Sequence, residues 1–241
     1  MDQQEWKAYV QKVAGCEWPI PAGMISDYND WRCRSIVGRM LVVLKDVEGA
    51  MAVLSTVKDV QPDMEDAPEY GLSEAEHKVL CLRDIAEIVW KLTGTAYAPL
   101  VYLDEAYELC RAYKKPFRSA NRGGIWVRRL EIKRDCGRGE EAAAEAEAMI
   151  EAEKDTEGIN PYCFYAYKFL AEEAAAKGDY AKGADLIAAG YKYFPLSDAG
   201  VRDLKEAAAA EDPQERYKKY LFCTTIQYKP WEELPPAVIR R

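Results

Sequence analysis

The chain has 241 residues, 49% of them hydrophobic and 31% charged, with a net charge of −8. That composition belongs to a folded protein rather than a disordered one, and no apolar run approaches the ~20 residues needed to cross a bilayer. Seven scattered cysteines never form a Cys-x-x-Cys pair and there is one histidine, so neither a disulfide framework nor a zinc site is expected, and no metal or cofactor. The opening residues, Met1-Asp2-Gln3-Gln4-Glu5, are acidic and polar, unlike a secretory leader, and a cytoplasmic location is expected.

Residues 3–14 place Trp6, Tyr9, Val10 and Val13 on one helical face. Glu17 to Gly23, with Pro19 and Pro21, reads as a rigid connector. Helices are predicted over 26–44 and 47–60, then a loop from Gln61 to Leu72 carrying Pro62, Pro68 and Gly71. Ser73-Glu74-Ala75-Glu76 is a capping box that opens a helix to about Leu92. Gly94 ends it, and another helix covers about 98–114. Pro116 to Gly124 reads as irregular. Helices follow at about 125–136, 139–154, 161–177 and 180–193. Ser197 caps a helix reaching Ala210, and Asp212-Pro213 begin the last one, to about Gln227. The tail, 229–241, contains Pro230, Pro235 and Pro236 and is expected to be extended. Long helices, short turns and no convincing strand predict an all-α fold of sequential helical hairpins.

One stretch, 164–197, is more specific. Tyr167 and Leu170 are bulky and Ala171 is small. Gly178-Asp179-Tyr180 supplies a turn, Gly183 and Gly190 are small with Ile187 between them, and Pro195 terminates. Small residues at these spacings let two antiparallel helices approach closely. The spacing resembles the tetratricopeptide repeat, a helix–turn–helix unit of about 34 residues. A weaker copy lies at 31–64, with Val37-Gly38, Ala50, Leu54 and Pro62 in place and Lys45 where the turn glycine belongs. A third lies between about Ile125 and Lys154, with Trp126, Leu130, Gly137 or Gly139, Ala142 and Ala146. Residues 73–115 are helical in pattern but do not fit. The resemblance implies a single domain over 1–241: stacked antiparallel hairpins in a right-handed superhelix whose first helices line a groove.

Charge is segregated. Residues 111–138 hold ten cations against Glu131 and Asp135, so this stretch is +8 and the remainder of the chain sums to −16. Residues 140–157 hold eight carboxylates against Lys154. The resemblance places Lys168 and Arg128 on one groove column, extended by Arg202 on a following helix. Asn121 and Arg122 add to it at a loop–helix junction, and Tyr165 stands on the groove side as an aromatic anchor. Such a column suits a carboxylate or acidic segment of a partner. The plainer alternative is that the basic and acidic helices form one hairpin and neutralise each other.

His77 and Cys81 stand four apart on one predicted helix, a formal nucleophile–base spacing; the competing reading is a surface histidine beside a buried thiol. The expected function is non-enzymatic binding of a protein or peptide in a helical groove. Alternatives are an immunity or antitoxin protein, a peptide-sensing regulator, or an all-α enzyme. Net acidity speaks against nucleic acid as the partner.

Overall fold

The computed structural model describes residues 30–43, 45–69, 71–115, 122–194, 196 and 198–227. Every regular element among them is helical: α1 (Trp31–Val43), α2 (Val47–Leu54), α3 (Glu74–Thr93), α4 (Tyr97–Ala112), α5 (Arg122–Asp135), α6 (Gly139–Glu153), α7 (Pro161–Ala176), α8 (Tyr180–Gly190), a 3-10 turn at Tyr191–Tyr193, α9 (Asp198–Ala208) and α10 (Pro213–Gln227). The all-α expectation is what is observed. The expected helix 3–14, the connector after it, Ser197 as a cap and the tail 229–241 lie outside the described residues. No described helix is long and apolar enough to cross a membrane. The helices form two compact units, α1 to α4 and α5 to α10.

In the first unit α1 and α2 form a hairpin that packs on α3, and α3 pairs with α4. Val37, Leu41, Val53, Leu54, Val57, Cys81 and Ile85 close its core. The hairpin is tight because position 38 has no side chain; a Cβ on Gly38 would lie 2.4 Å from Leu54 Cδ2. α3 begins as predicted: the Ser73 hydroxyl accepts from Glu76 N and the Glu76 carboxylate accepts from Ser73 N. Gly94, at φ +63°, ends it. α2 stops at Leu54, not at 60. There Thr56 and Val57 amides turn back to the Val53 and Leu54 carbonyls, and the Thr56 hydroxyl takes the Val53 carbonyl at 2.8 Å. This tighter, three-residue bonding winds the chain out of the helix.

Three turns are built alike. Lys45, Gly137 and Gly178 each stand two residues past a helix end in the left-handed conformation, at φ +63°, +79° and +82°. Each donates its amide three residues back, to Val42, Arg134 and Ala175 carbonyls. The next amides, of Asp46, Arg138 and Asp179, donate five residues back, to Leu41, Lys133 and Ala174, at 2.9–3.0 Å. This is the Schellman arrangement, which satisfies carbonyls a helix end leaves open. In all three the next helix starts two residues later, and a small residue is buried five residues past the turn: Ala50, Ala142 and Gly183. Lysine in the left-handed region costs about 1–2 kcal/mol that glycine avoids, partly offset by glycine's greater freedom when unfolded. Lys45→Gly is therefore expected to stabilise the first unit by roughly 0.5–1 kcal/mol in urea denaturation.

In the second unit α5 pairs with α6 and α7 with α8, while α5 and α6 both pack on α7, and α10 packs on α8 and α9. The core is aromatic, built on Phe164, Tyr191, Phe194, Tyr217 and Tyr220 around Ala171, Ala184 and Ile187. Small residues sit at the crossings. A Cβ on Gly190 would lie 2.9 Å from Tyr167 Cβ, and one on Gly183 would lie 3.0 Å from the Ala171 carbonyl and 3.2 Å from Tyr217. α5 starts at Arg122, three residues before its expected start. Gly123, expected in a loop, is buried in the first turn of α5, where a Cβ would meet the Pro161 carbonyl oxygen and the Tyr165 ring at 2.4 Å. Its glycine serves helix packing, not chain reversal. α8 ends at Gly190 rather than at 193. Tightening to a 3-10 turn lets Tyr191 donate its hydroxyl to the Tyr220 carbonyl (2.7 Å) and Tyr193 to the Lys154 carbonyl (2.8 Å).

Candidate binding face

The close seating of α5 on α7 at Gly123 creates a shared face of half-buried charge. On α5, Arg128 Nη1 holds Glu131 Oε2 at 2.7 Å. On α7, Lys168 Nζ stands 3.5 Å from Glu172 Oε1 and 5.8 Å from the centre of the Tyr165 ring. Arg134 bridges the helices, 4.0 Å from Glu172 and 3.5 Å from Glu173, with its guanidinium 5.7 Å from the centre of the buried Phe169 ring. The Glu172 carboxyl is held above its ordinary pKa, first by burial and then by Glu131, against the pull of Lys168 and Arg134. Burial, then the Glu172 charge, pushes the Tyr217 phenol up to about 12.

Arg128, Tyr165 and Lys168 thus lie on neighbouring helices that the fold brings side by side. Arg122 is half-buried in the first turn of α5. Arg202 is exposed on α9, which packs on α10. Asn121 lies outside the described residues. The register differs from the expected column by one residue. From Gly137 to Gly178 is 41 positions, so the counterpart of Lys168 on α5 is Val127, and Glu131 is the counterpart of Glu172. Glu131, Arg134 and Glu172 were not singled out by the sequence reading. The i,i+4 spacing of Lys168 and Glu172 was the available signal.

The other side of α5 follows the plainer reading. Arg129 and Lys133 converge on Glu145 of α6, at 2.7 and 2.6 Å, and Lys133 also reaches Glu141 at 3.2 Å. One carboxylate answering two cations ties the hairpin together. Glu145→Gln is expected to lower the stability of the second unit by about 1 kcal/mol, and by less in high salt, because half-exposed pairs are screened.

His77 is not on the surface. It is buried on α3, its ring edge-on to Trp31 with centroids 6.2 Å apart, and its Nδ1 has no hydrogen-bond partner. Cys81 is buried and donates its thiol to the Leu54 carbonyl at 3.9 Å. Burial drives the histidine down to about 4 and the thiol up to about 12. An activated thiolate–imidazolium pair needs the opposite shifts. Both side chains belong to the packing of the first unit.

No three His, Cys, Asp or Glu side chains gather as metal ligands among the described residues. No family model, curated protein or solved structure matches this chain.

Proposed function

We propose that this protein is a non-enzymatic binding module of tetratricopeptide-like hairpins, and that the face shared by α5 and α7 receives a segment of another protein. The observation that carries the reading is the turn built alike at Lys45 in the first unit and at Gly137 and Gly178 in the second, followed each time by a buried small residue, together with the seating of α5 on α7 through Gly123 in the second unit. Repeated construction of this kind suits a stacked array, and first helices lying side by side suit an extended polypeptide. Right-handed winding of the stack belongs to the same reading. Arg128, Lys168 and Arg134 supply donors, Glu131 and Glu172 acceptors, and Tyr165 a broad ring.

The partner engages a face that is already charge-compensated. A carboxylate on the incoming segment displaces Glu172 from Lys168, which costs least where the glutamate is long-paired and resists ionisation. The ligand is therefore a polypeptide with an acidic residue or chain-terminal carboxylate flanked by apolar side chains. Affinity capture from the native cell, with quantitative mass spectrometry, tests this. Arg128→Glu with Lys168→Glu is expected to reduce the principal captured protein tenfold or more while the far-UV circular dichroism spectrum at the capture temperature remains that of the folded helical protein, although the melt is lowered by the lost pairs with Glu131 and Glu172. Equal capture by the variant would remove the face from the binding account.

A further inference from the structure

In the first unit α1 carries Arg32, Arg34 and Arg39 and no carboxylate, and it lies on α3 along a polar seam. Trp31, Ser35 and Arg39 share one face of α1, and His77 and Asp84, two turns apart, share one face of α3. The contacts climb both helices together. Trp31 stands edge-on to the His77 ring, the Ser35 hydroxyl donates to the His77 carbonyl at 3.3 Å, and Arg39 Nε stands 3.5 Å from Asp84 Oδ2. Asp84 is shared between two guanidiniums, since its Oδ1 also accepts from Arg83 Nη2 and Nε at 2.6 and 2.9 Å. Buried polar atoms are nearly always hydrogen-bonded. Two in this seam are not: Arg39 Nε, which Asp84 does not approach closely enough, and Nδ1 of His77, a side chain only 6% exposed.

We infer that the α1–α3 seam binds a phosphate dianion, free or as a monoester, which Arg39 and Arg83 grip while His77 takes a proton from solvent. Charge selects the ligand. α1 with Asp30 before it sums to +2, and Glu76, Arg83 and Asp84 sum to −1; Lys78 is answered by Glu105 of α4 at 3.4 Å. The seam is therefore +1 while the imidazole is neutral and +2 once it is protonated. Arg39 and Arg32 oppose that proton, Glu76 and Asp30 favour it, and burial leaves the ring neutral. An anion beside Arg39 removes the largest charge that opposes it. Arg39 gives up only a long contact to turn toward the ligand, because Arg83 already holds Asp84. Planar guanidiniums suit phosphate oxygens, which accept from several donors at once. A carboxylate, with one charge, is matched by the neutral-imidazole state and recruits no proton. The seam belongs to the first unit, so its test stands apart from that of the α5–α7 face.

The test uses the full chain, with inorganic phosphate and O-phosphoserine as probes and acetate and chloride at matched ionic strength as counterparts. His77 is the one histidine, so its imidazole resonance in the proton NMR spectrum reads the site directly. Inorganic phosphate is expected to shift that resonance saturably at pH 7. It is also expected to raise the midpoint by about one unit or more over chloride, a tenfold preference of the anion for the protonated site. Acetate is expected to leave the midpoint where chloride does. Arg39→Gln and Arg83→Gln are each expected to weaken phosphate binding tenfold or more. Arg83 is half-exposed, so its variant keeps the test available if Arg39→Gln does not fold. Arg138→Gln, in an exposed pair of the second unit, is expected to bind as wild type. Tenfold tighter binding of O-phosphoserine identifies a phosphate monoester as the source, and equal affinity a free anion; either upholds the site. A midpoint equal in phosphate and chloride would overturn the inference, because a bridging water would then suffice for the two unmet nitrogens. An equal rise in acetate, or phosphate affinity unchanged in both arginine variants, would do the same.

Discussion

Gly123→Ala is expected to destabilise the second unit by about 3 kcal/mol. One methyl group placed there would stand 2.4 Å from the Pro161 carbonyl oxygen and 2.4 Å from Tyr165 Cδ2. A tyrosine ring can swing aside. The carbonyl belongs to the first turn of α7, beside Asn160, whose side chain caps that helix by accepting from the Tyr162 and Cys163 amides at 3.1 Å. It can move only if α7 withdraws from α5 as a body. Withdrawal opens the contact beneath Arg134 and Glu172, so the cost is that of overpacking a rigid crossing. Gly139→Ala supplies the control. It starts α6, its nearest neighbours to an added Cβ are at 3.9 and 4.0 Å, and alanine is the better helix former. Urea denaturation followed by circular dichroism should show a large loss for the first substitution and none, or a slight gain, for the second. Comparable losses would mean that glycine at 123 serves chain flexibility and not close approach.

Acid is expected to weaken the first unit through one imidazole. His77 is buried and titrates at about 4, against an ordinary value of 6.5, because burial and the nearby Arg39 and Arg32 charges oppose its protonated form more than Glu76 and Asp30 favour it. The unfolded chain takes up a proton near 6.5 that the folded chain refuses until about 4, so stability is full above 6.5 and falls as pH drops through that window. At 1.36 kcal/mol per unit the loss approaches about 3 kcal/mol at pH 4. Carboxylates titrate in the same range, so the difference between wild type and His77→Gln isolates the imidazole: the variant should lose less on going from pH 7 to 4.5. The chain has one histidine, and a single imidazole resonance in the proton NMR spectrum reports its midpoint directly. A midpoint between 6 and 7 would show that the ring is solvated and that α1 does not cover it.

What was legible in the sequence is what local chemistry decides. The Ser73 capping box, Gly94, Gly178 and the small residues 171, 183 and 190 depend on neighbours within a few positions, and each is found where it was expected. Lys45 shows the limit of the rule. It was read as a departure from the turn pattern, yet it holds the same left-handed geometry as Gly137 and Gly178, because the surrounding hydrogen bonds offset its strain. Gly123 and Gly124 failed for the opposite reason. A glycine pair reads locally as a loop, and only Pro161, 38 residues away, reveals a helix crossing. His77 was read as a surface histidine beside a buried thiol, but it is buried together with its neighbours Glu76 and Lys78, because α1 packs on this helix and the Lys78 amine reaches the Lys58 carbonyl in the turns after α2. The expected pairing of Arg128 with Lys168 assumes a spacing of 40 residues, whereas the matching turns at Gly137 and Gly178 stand 41 apart, a one-residue difference that the φ of Gly137 reveals and local sequence does not.

Site-specific photo-cross-linking from the α5–α7 face is the most direct test of the binding account. Benzoylphenylalanine placed at Tyr165, and at the exposed Glu147 of α6 as a control, would be irradiated in extract of the native cell and the adducts sequenced. The account predicts a discrete adduct from position 165, to one acidic or carboxylate-terminated segment, that disappears when Lys168 is changed to Glu. Adducts from position 147 alone, or a position-165 adduct indifferent to Lys168→Glu, would contradict it.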